Sequence, residues 1–214
     1  KYRKYVKGKD YLKAFEEALK DADAGSKVLY IPAGTFELSG IWYIFGSDVK
    51  ITGAGMWYTN LKFTNPNPFG GGISGGNGSH GPDGYCNNVE ICNLYLNSNL
   101  RSRHNQQAVY KCFMDVFKGG SVIHHVWEDH FECGFWIGDY NGKVDYSNDL
   151  KIISCRIRNN FADGVNFCQG TSNATVYNCS VRNNGDDGLA MWNDHTMGAV
   201  DEKNNTFAYN TIEL

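Results

Sequence analysis

Short runs of alternating apolar and polar residues recur along the second half of the chain. Two of them, IISCRIRNNFADGVNFC at 152–168 and VYNCSVRNNGDDGLAMW at 176–192, align without a gap at an offset of 24 residues. Alternation with a period of two predicts strands, and the Asn and Gly residues between the runs would interrupt a helix. A repeat of this length made of short strands is typical of a solenoid. Six positions are identical: Cys155/Cys179, Arg158/Arg182, Asn159/Asn183, Asn160/Asn184, Asp163/Asp187 and Gly164/Gly188.

The repeat continues before and after these two segments, with insertions that lengthen its period. Residues 124–137 align with the first repeat at an offset of 30 residues, which places Gly134 on Gly164. Residues 207–212 align with VYNCSV at an offset of 31 residues. Upstream, strand-like alternation continues at residues 49–55 and 89–96. Parallel strands of successive coils would stack about 4.8 Å apart. The pattern therefore predicts an all-β fold, a right-handed parallel β-helix.

The repeated cysteines and asparagines have a structural interpretation. We expect Cys155 and Cys179 to stack in the core as reduced thiols, beside Ile157 and Val181. The stacked asparagines suit a turn, because Asn tolerates the left-handed region and bonds nearby backbone groups. The seven cysteines include no C-x-x-C pair, which argues against a zinc ribbon or a thioredoxin-type site and leaves some disulfides open.

The start of the chain predicts one helix followed by two strands. In DYLKAFEEALKDADAG, Asp10 is the candidate N-cap and Gly25 ends the helix. Residues 27–40 then read as strand, turn and strand. We expect this short N-terminal helix to cap the apolar end of the solenoid. Its apolar face consists of Leu12, Phe15, Ala18 and Leu19.

Length and charge narrow the class of protein. The 214 residues, 42% hydrophobic and 20% charged, suit one globular domain. A net charge of −3 without a basic run predicts neither a nucleic-acid nor a membrane partner. Because the sequence stops at Leu214 directly after a strand, we expect a missing segment or a second chain to supply further coils. We interpret residues 1–214 as the N-terminal and central coils of one catalytic β-helix domain.

Three carboxylates require a functional explanation. Stacking of the repeats puts Asp163 and Asp187 on neighbouring coils, with Asp186 beside them, and such neighbours repel and raise at least one pKa. A D-G pair alone is usually a solvated or calcium-binding turn. A stacked set of three acids is costly for a fold, however, and carboxylates with pKa values pushed apart are what glycoside hydrolysis requires.

The residues around these acids resemble a known active site. The segments ADGVNF and GDDGLAMW, one coil apart, are similar to those of β-helical inverting glycosidases. NNFADGVNF followed by VRNNGDDGLAMWND resembles most closely the bacterial α-1,3-glucanases (mutanases and mycodextranases) of glycoside hydrolase family 87. The close similarity covers roughly residues 120–195, and the chain departs from the family by being short.

The resemblance implies that Asp163, Asp186 and Asp187 are the catalytic set. It implies an inverting endo-hydrolase of a neutral α-glucan, with α-1,3-glucan as the expected polysaccharide substrate. Asp186 would be the general acid, while Asp163 and Asp187 hold and deprotonate the water. Inversion needs about 6.5–9.5 Å between acid and base, which residues one coil apart can span. The implied enzyme is secreted and extracellular and needs no cofactor for catalysis or catalytic metal; a structural calcium ion stays open.

Several nearby residues are candidate contacts for the sugar. Trp192 should lie on the exposed face beside the acids, where it can stack on a sugar ring or simply pack. Asn166 should face outward beside Asp163. The remaining candidate substrate-binding residues are Asp194 and His195 in the following loop, which is otherwise an ordinary polar loop, and Asp129, His130, Glu132 and Trp136 on the preceding coil. We interpret the pair His124–His125 as structural and not as a metal site.

Other functions remain as alternatives. A polygalacturonase would need basic groups for its acidic substrate, and no Arg/Lys pair follows GDDG. A dextranase acts on a neutral substrate and is harder to separate. A β-helical lyase would need a cationic base, and the sequence shows no Lys or Arg near the acids. A glycan-binding β-helix without catalysis has no use for repelling acids.

Overall fold

The chain folds into short strands and one α-helix, as described by a computed structural model for residues 1–76, 85–104, 109–138 and 146–213. The helix α1 covers Leu12–Ala24, and short 3-10 helices cover Tyr2–Tyr5 and His195–Met197. The strands of the first three coils are β1 Val28–Ile31, β2 Gly34–Leu38, β3 Trp42–Tyr43, β4 Lys50–Gly53, β5 Thr59–Phe63, β6 Ile73–Ser74, β7 Cys86–Asn87, β8 Glu90–Ser98, β9 Lys111–Asp115 and β10 Phe117–Lys118. The later strands are β11 Val122–Asp129, β12 Cys133–Ile137, β13 Lys151–Ile153, β14 Arg156–Arg158, β15 Val165–Cys168, β16 Thr175–Tyr177, β17 Ser180–Arg182, β18 Leu189–Trp192, β19 Thr206–Ala208 and β20 Thr211–Glu213.

These strands form two main parallel sheets. The long sheet has twelve strands, ordered β1-β4-β8-β11-β13-β16-β19 along one edge, with β2, β5, β14, β17 and β20 continuing beside them. The second sheet has six strands in the order β3-β6-β9-β12-β15-β18, and β7 pairs with β10. Strands that follow one another within a sheet come from successive coils of the chain. The predicted mostly-β architecture with parallel pairing is therefore confirmed.

The 24-residue register is also confirmed. Ile157 pairs with Val181, and Asn166 pairs with Ala190. The register of 31 residues holds for the next coil, where Val181 pairs with Ile212.

The preceding coil corrects one detail of the alignment. Glu128 pairs with Ile157 at an offset of 29, whereas Trp136 pairs with Asn166 at an offset of 30. The turn after β14 therefore holds one residue more than the turn after β11. The predicted offset of 30 is right for β12 but wrong for β11.

The core lies between the two sheets and runs along the stack. The inward side chains Phe113, Phe135 and Phe167 come from β9, β12 and β15, and the rings of Phe113 and Phe135 stack at 4.7 Å between centroids. Cys155 and Cys179 are buried, free and adjacent, with the Cys155 N–H 3.4 Å from Cys179 Sγ. The inward ladder of reduced thiols is confirmed.

Helix α1 covers the first coil, as its apolar face predicts. Phe15, Ala18 and Leu19 are buried in the same core as Leu29 and Trp42. The helix ends before Gly25, as predicted.

The predicted N-cap of α1 is displaced by one residue. Tyr11 takes the N-cap position, while Asp10 Oδ1 accepts from the Leu12 N–H over 3.1 Å and from the Ser39 N–H over 3.2 Å. Asp10 therefore joins the helix start to the end of β2 instead of forming the cap itself. Among the described residues, no helix is long and apolar enough to cross a membrane.

Candidate active site

The three aspartates lie in equivalent turns that lead from the long sheet to the second sheet. Asp163 precedes β15 and Asp187 precedes β18 by the same two positions. Each turn begins with an asparagine in the left-handed region, Asn159 at φ 56° and Asn183 at φ 53°. Asn183 Nδ2 donates to Asn159 Oδ1 over 3.3 Å, as expected for stacked turns.

The glycine after each aspartate is required by close packing between coils. A Cβ on Gly164 would meet Gly188 O at 2.6 Å, and one on Gly188 would meet Ile212 Cγ2 at 2.7 Å. These approaches are too short for any side chain. The D-G sequence thus combines an outward acid with a backbone that allows the next coil to approach.

The structure brings the three carboxylates together. One oxygen from each of Asp163, Asp186 and Asp187 lies within 4.8 Å of the others. Asp163 is 7% exposed, whereas Asp186 and Asp187 are exposed. Asp163 Oδ2 accepts from Asn166 Nδ2 over 2.8 Å, and its Oδ1 accepts from the Asp187 N–H over 3.2 Å.

The electrostatics of Asp163 follow from this placement. Burial raises the pKa of the Asp163 carboxyl, and the neighbouring charges of Asp186 and Asp187 raise it further, against the two hydrogen bonds that lower it. Burial is thus the main cause of the raised Asp163 pKa, and the repulsion within the cluster adds to it. Such a group keeps its proton to a higher pH than an isolated surface acid does.

A cation that the sequence did not reveal also lies at the site. Arg103 Nη1 is 3.5 Å from Asp186 Oδ2, with the two side chains 28% and 52% exposed. The expectation that no Lys or Arg lies near the acids was wrong. Arg103 belongs to the connection between β8 and β9, which has no repeat pattern that could have placed it there.

The surroundings of Glu132 differ from those expected of a residue that contacts the sugar. Glu132 is fully buried, and its carboxylate accepts from the N–H of His104 and, over 3.0 Å, from the N–H of Val109. Burial raises its pKa, while the backbone donors lower it. The side chain is thus occupied by the β8–β9 connection and does not face the solvent.

A polar ladder lies behind the aspartate-bearing turns, inside the coil. Asn160 Nδ2 donates to Glu128 Oε1 over 2.7 Å and to Asn184 Oδ1 over 2.9 Å. Glu128 also accepts from the Arg158 N–H over 3.1 Å, and its pKa is raised well above the ordinary range by burial. Its Oε2 has no hydrogen-bond partner among the described residues. The asparagine stack was predicted, but the glutamate at its end was not.

Two tryptophans flank the acids on the outer face of the second sheet. Trp192 is 40% exposed, as predicted, and its ring lies 5.9 Å from that of Trp136. Lys111 Nζ lies 5.0 Å from the centre of the Trp136 ring. Asn166 pairs with Trp136 across the two strands and donates to Asp163, so it lies beside Asp163 as predicted, but it is buried and not open to solvent.

The loop after β18 holds Asp194 and His195. Asp194 Oδ1 accepts from the Thr196 hydroxyl over 2.5 Å and from the Thr196 N–H over 2.9 Å, and these bonds, the hydroxyl bond above all, lower the Asp194 pKa. His195 lies 3.0 Å from Ala199 O and 3.7 Å from Asp201. Both side chains are therefore engaged within the loop. In the same loop, burial raises the pKa of Glu202 to about 7.

Asp129 and His130 form a group of their own at the end of β11. Asp129 Oδ1 lies 2.7 Å from His130 Nδ1 and accepts from Asn159 Nδ2 over 2.9 Å, while Tyr95 donates to its Oδ2 over 3.3 Å. These contacts support the first turn residue, Asn159. Through Tyr95 and Asn159, the Asp129–His130 pair is joined to the long sheet.

In the described part of the chain, two groups of side chains have the composition of a metal site. One is the aspartate cluster; in it both Asp163 oxygens already accept hydrogen bonds and Asp186 faces Arg103. The other is Glu90, Cys92 and His124 on the outer face of the long sheet. There a single oxygen, Glu90 Oε1, is shared by Lys50 Nζ at 2.7 Å and His124 Nε2 at 3.0 Å. This arrangement is an ion-pair network, which agrees with a structural role for His124.

Comparison with known proteins identifies the family. The model of the α-1,3-glucanase catalytic domain D2 family matches residues 5–213. The crystal structure of the Agl-KA catalytic domain is 52% identical, with a TM-score of 0.85, over 95% of this chain and 35% of that chain. The catalytic unit of a thermostable GH87 α-1,3-glucanase from Streptomyces thermodiastaticus strain HF3-3 is 25% identical, with a TM-score of 0.74, over 95% of this chain and 33% of that chain.

A GH87 α-1,3-glucanase catalytic domain in complex with nigerose is also similar. It is 25% identical, with a TM-score of 0.66, over 97% of this chain and 35% of that chain. A search of the curated proteins found no match. The chain thus spans about a third of the length of these solved structures. On the match that covers residues 5–213, the chain belongs to the α-1,3-glucanase catalytic domain D2 family.

Proposed function

We propose that the protein hydrolyses α-1,3-glucan by an endo-acting, inverting mechanism at the Asp163–Asp186–Asp187 cluster. The observation that carries the proposal is the meeting of these three carboxylates, within 4.8 Å, at an outward-facing turn. In this proposal Asp186 protonates the leaving oxygen. Asp163 and Asp187 hold a water molecule and remove its proton.

The division of roles follows the contacts within the cluster. Asp163 and Asp187 are joined by a hydrogen bond from the Asp187 N–H to the Asp163 carboxylate, so they form a unit across two coils. Asp186 is half-exposed and faces Arg103 instead. This arrangement suits acid–base catalysis, because the joined pair can activate a water molecule while the third acid donates a proton.

Inversion does not follow from distance alone. The closest carboxylate oxygens lie within 4.8 Å, which is shorter than the separation of about 6.5–9.5 Å between acid and base in inverting glycosidases. A retaining mechanism, however, uses one nucleophile and one acid and has no role for the third carboxylate. The inverting mechanism is therefore the one in which each of the three carboxylates has the role proposed here.

The surroundings of the cluster suit a neutral sugar chain. The exposed ring of Trp192 beside Trp136 offers an apolar surface for a sugar ring, and Asn166 adds an amide next to Asp163. We assign Trp136, Asn166 and Trp192 to the substrate groove. Asp194, His195, Asp129 and His130 would contact sugar only if their present partners were exchanged, and Glu132 acts through the β8–β9 connection.

The relatives support the substrate and the larger architecture. Similar GH87 catalytic domains bind nigerose or tetrasaccharides, and several of these are variants with one aspartate replaced by alanine. We further propose that the stacked coils form a right-handed parallel β-helix. Because the proposed substrate is a polymer, we propose that the enzyme acts outside the cell.

The deciding experiment measures products from a panel of polysaccharides. The purified protein is incubated with α-1,3-glucan, dextran and polygalacturonate, and released reducing ends and oligosaccharide sizes are measured. We expect oligosaccharides from α-1,3-glucan alone, and NMR of the first product should show the β-anomer. Cleavage of dextran or polygalacturonate instead would contradict the substrate, and an α-anomer would contradict inversion.

A further inference from the structure

Arg103 reaches the aspartate cluster from a distant part of the stack. It lies between β8 and β9, on the third coil, whereas Asp186 lies between β17 and β18, on the sixth. The guanidinium Nη1 is nevertheless 3.5 Å from Asp186 Oδ2. Something must hold this connection across the intervening coils, because a half-exposed ion pair alone contributes little.

Glu132 is the group that holds the connection. Its fully buried carboxylate accepts from the N–H of His104, the residue after Arg103, and from the N–H of Val109, 3.0 Å away. The Glu132 N–H in turn donates to Tyr110 O over 2.8 Å. Charge-assisted hydrogen bonds to backbone donors are stronger than neutral ones, and a buried acceptor fixes the backbone that it binds.

We propose that Glu132 is a positioning residue that fixes the β8–β9 connection so that Arg103 faces the proposed general acid, Asp186. This inference rests on the proposed function of the three aspartates. Arg103 is itself a positioning residue: its contact is with Asp186 and not with the reacting atoms.

The chemistry of proton transfer gives Arg103 a role. When Asp186 gives its proton to the leaving oxygen, the carboxyl becomes an anion beside two other carboxylates. Among the described residues, the charged groups found facing Asp186 are Asp163 from the preceding coil, Asp187 in the same turn and Arg103 from the connection. Of these only Arg103 stabilises the new anion, so it offsets the repulsion at the moment when charge develops.

The test is the pH dependence of kcat/KM for five variants. Activity needs the protonated acid, and a neighbouring cation favours the ionised form. Arg103→Met should therefore move the alkaline limb of the profile to higher pH and lower kcat about tenfold or more. Arg103→Lys, which keeps the charge, should leave the limb in place. Glu132→Gln should move the limb in the same direction as Arg103→Met, with a loss of about tenfold to a hundredfold in kcat/KM.

A matched control separates positioning from general damage. Glu128→Gln changes another fully buried glutamate that does not contact the connection, and it should leave the limb unmoved. The double variant Arg103→Met/Glu132→Gln should show the shift of Arg103→Met and no more, because Glu132 acts through Arg103.

The outcomes distinguish this inference from the proposed function. If Arg103→Met and Glu132→Gln lose activity at all pH values without a shift of the limb, the inference is wrong while the hydrolase activity of the parent stands. Fully additive losses in the double variant would also overturn it. If the parent cleaves no α-glucan, the proposed function fails instead. Circular dichroism and urea unfolding confirm that each variant is folded.

Discussion

The backbone N–H of Asp187 donates to Asp163 Oδ1 over 3.2 Å. One aspartate of the cluster therefore fixes the carboxylate of another. The bond crosses from one coil to the next, where the strands are in the 24-residue register. The geometry of the aspartate cluster is therefore set by coil stacking itself. A change in either turn that alters the stacking should disturb two carboxylates at once.

Replacing each aspartate of the cluster with asparagine should remove activity without unfolding the protein. Asn preserves the shape of the side chain but cannot exchange the proton, and loss of general acid–base catalysis costs about a hundredfold to ten-thousandfold in rate. We expect losses of this order for Asp163→Asn, Asp186→Asn and Asp187→Asn, measured as kcat on α-1,3-glucan. Full activity in Asp186→Asn would exclude that residue as the acid.

Asp163→Asn should change how stability depends on pH. Because the pKa of the buried Asp163 carboxyl is raised above its ordinary value of 3.8, ionisation of this group destabilises the fold. The stabilising contribution of the protonated carboxyl is complete below pH 3.8 and is lost as pH rises through the folded-state pKa. Asparagine can accept only one of the two hydrogen bonds that Asp163 accepts, which is a cost at every pH. The melting temperature of Asp163→Asn relative to that of the parent should therefore rise from pH 3 to pH 7.

The exposed Asp186→Asn variant serves as the comparison for this stability effect. Its side chain is 52% exposed, so solvent screens its charge and the change in melting temperature should be smaller. Equal gains in both variants would argue that repulsion within the cluster, and not burial of Asp163, destabilises the fold.

Glu128 should tolerate glutamine but not alanine. The carboxyl is fully buried with a strongly raised pKa and accepts from Asn160, so a neutral group of the same shape can replace it. We expect Glu128→Gln to cost less than about 1.5 kcal/mol, as volume-conserving replacements do. Glu128→Ala removes the acceptor of one of the two Asn160 side-chain N–H groups and leaves a cavity, which should cost about 2 kcal/mol or more. Urea unfolding measures both, and equal costs would contradict the role of the ladder.

Trp192→Ala should weaken substrate binding with little effect on the chemical step. The exposed ring offers stacking area to a sugar, and its loss should raise KM about tenfold, equivalent to about 1.4 kcal/mol. Trp192→Phe keeps an aromatic face and should restore most of the affinity. An unchanged KM in the alanine variant would assign Trp192 to packing against Trp136.

Glu202 should make stability depend on pH between about 4.5 and 7. Burial raises its pKa from 4.5 to about 7, so its protonated form stabilises the fold below this window and the contribution is lost as pH rises through it. Glu202→Gln should match the parent in melting temperature at pH 4 and exceed it at pH 8. Asp201→Asn, at a side chain that is 72% exposed, is the control and should show the same difference at both pH values.

The sequence was informative wherever residues repeat with the coil. The 24-residue spacing reveals Asn159 above Asn183 and Asp163 above Asp187, since stacked positions have the same neighbours and so tend to keep the same residue. The same reasoning misplaced β11 by one residue. Because the alignment was made on Gly134 and Gly164, it did not show that the turn after β11 is one residue shorter than the turn after β14.

Residues outside the repeat were not predictable in this way. Arg103 lies in a connection with no counterpart on other coils, and its contact with Asp186 depends on a path across three coils. Glu132 appeared among outward residues of a strand-like segment, but its carboxylate turns to backbone donors that no pattern identifies. Contacts made by irregular backbone follow from three-dimensional packing and not from periodicity.

The buried cysteines make the order of unfolding measurable. All seven thiols are free and buried, and they are distributed from Cys86 in β7 to Cys179 before β17. A thiol reagent can modify each one only after its own coil opens, and unlike a disulfide a free thiol does not fasten distant coils together. Mass spectrometry of partly modified protein would therefore record which coil opens first. Simultaneous labelling would indicate one cooperative unit, and labelling that spreads from one end would indicate stepwise fraying of the stack.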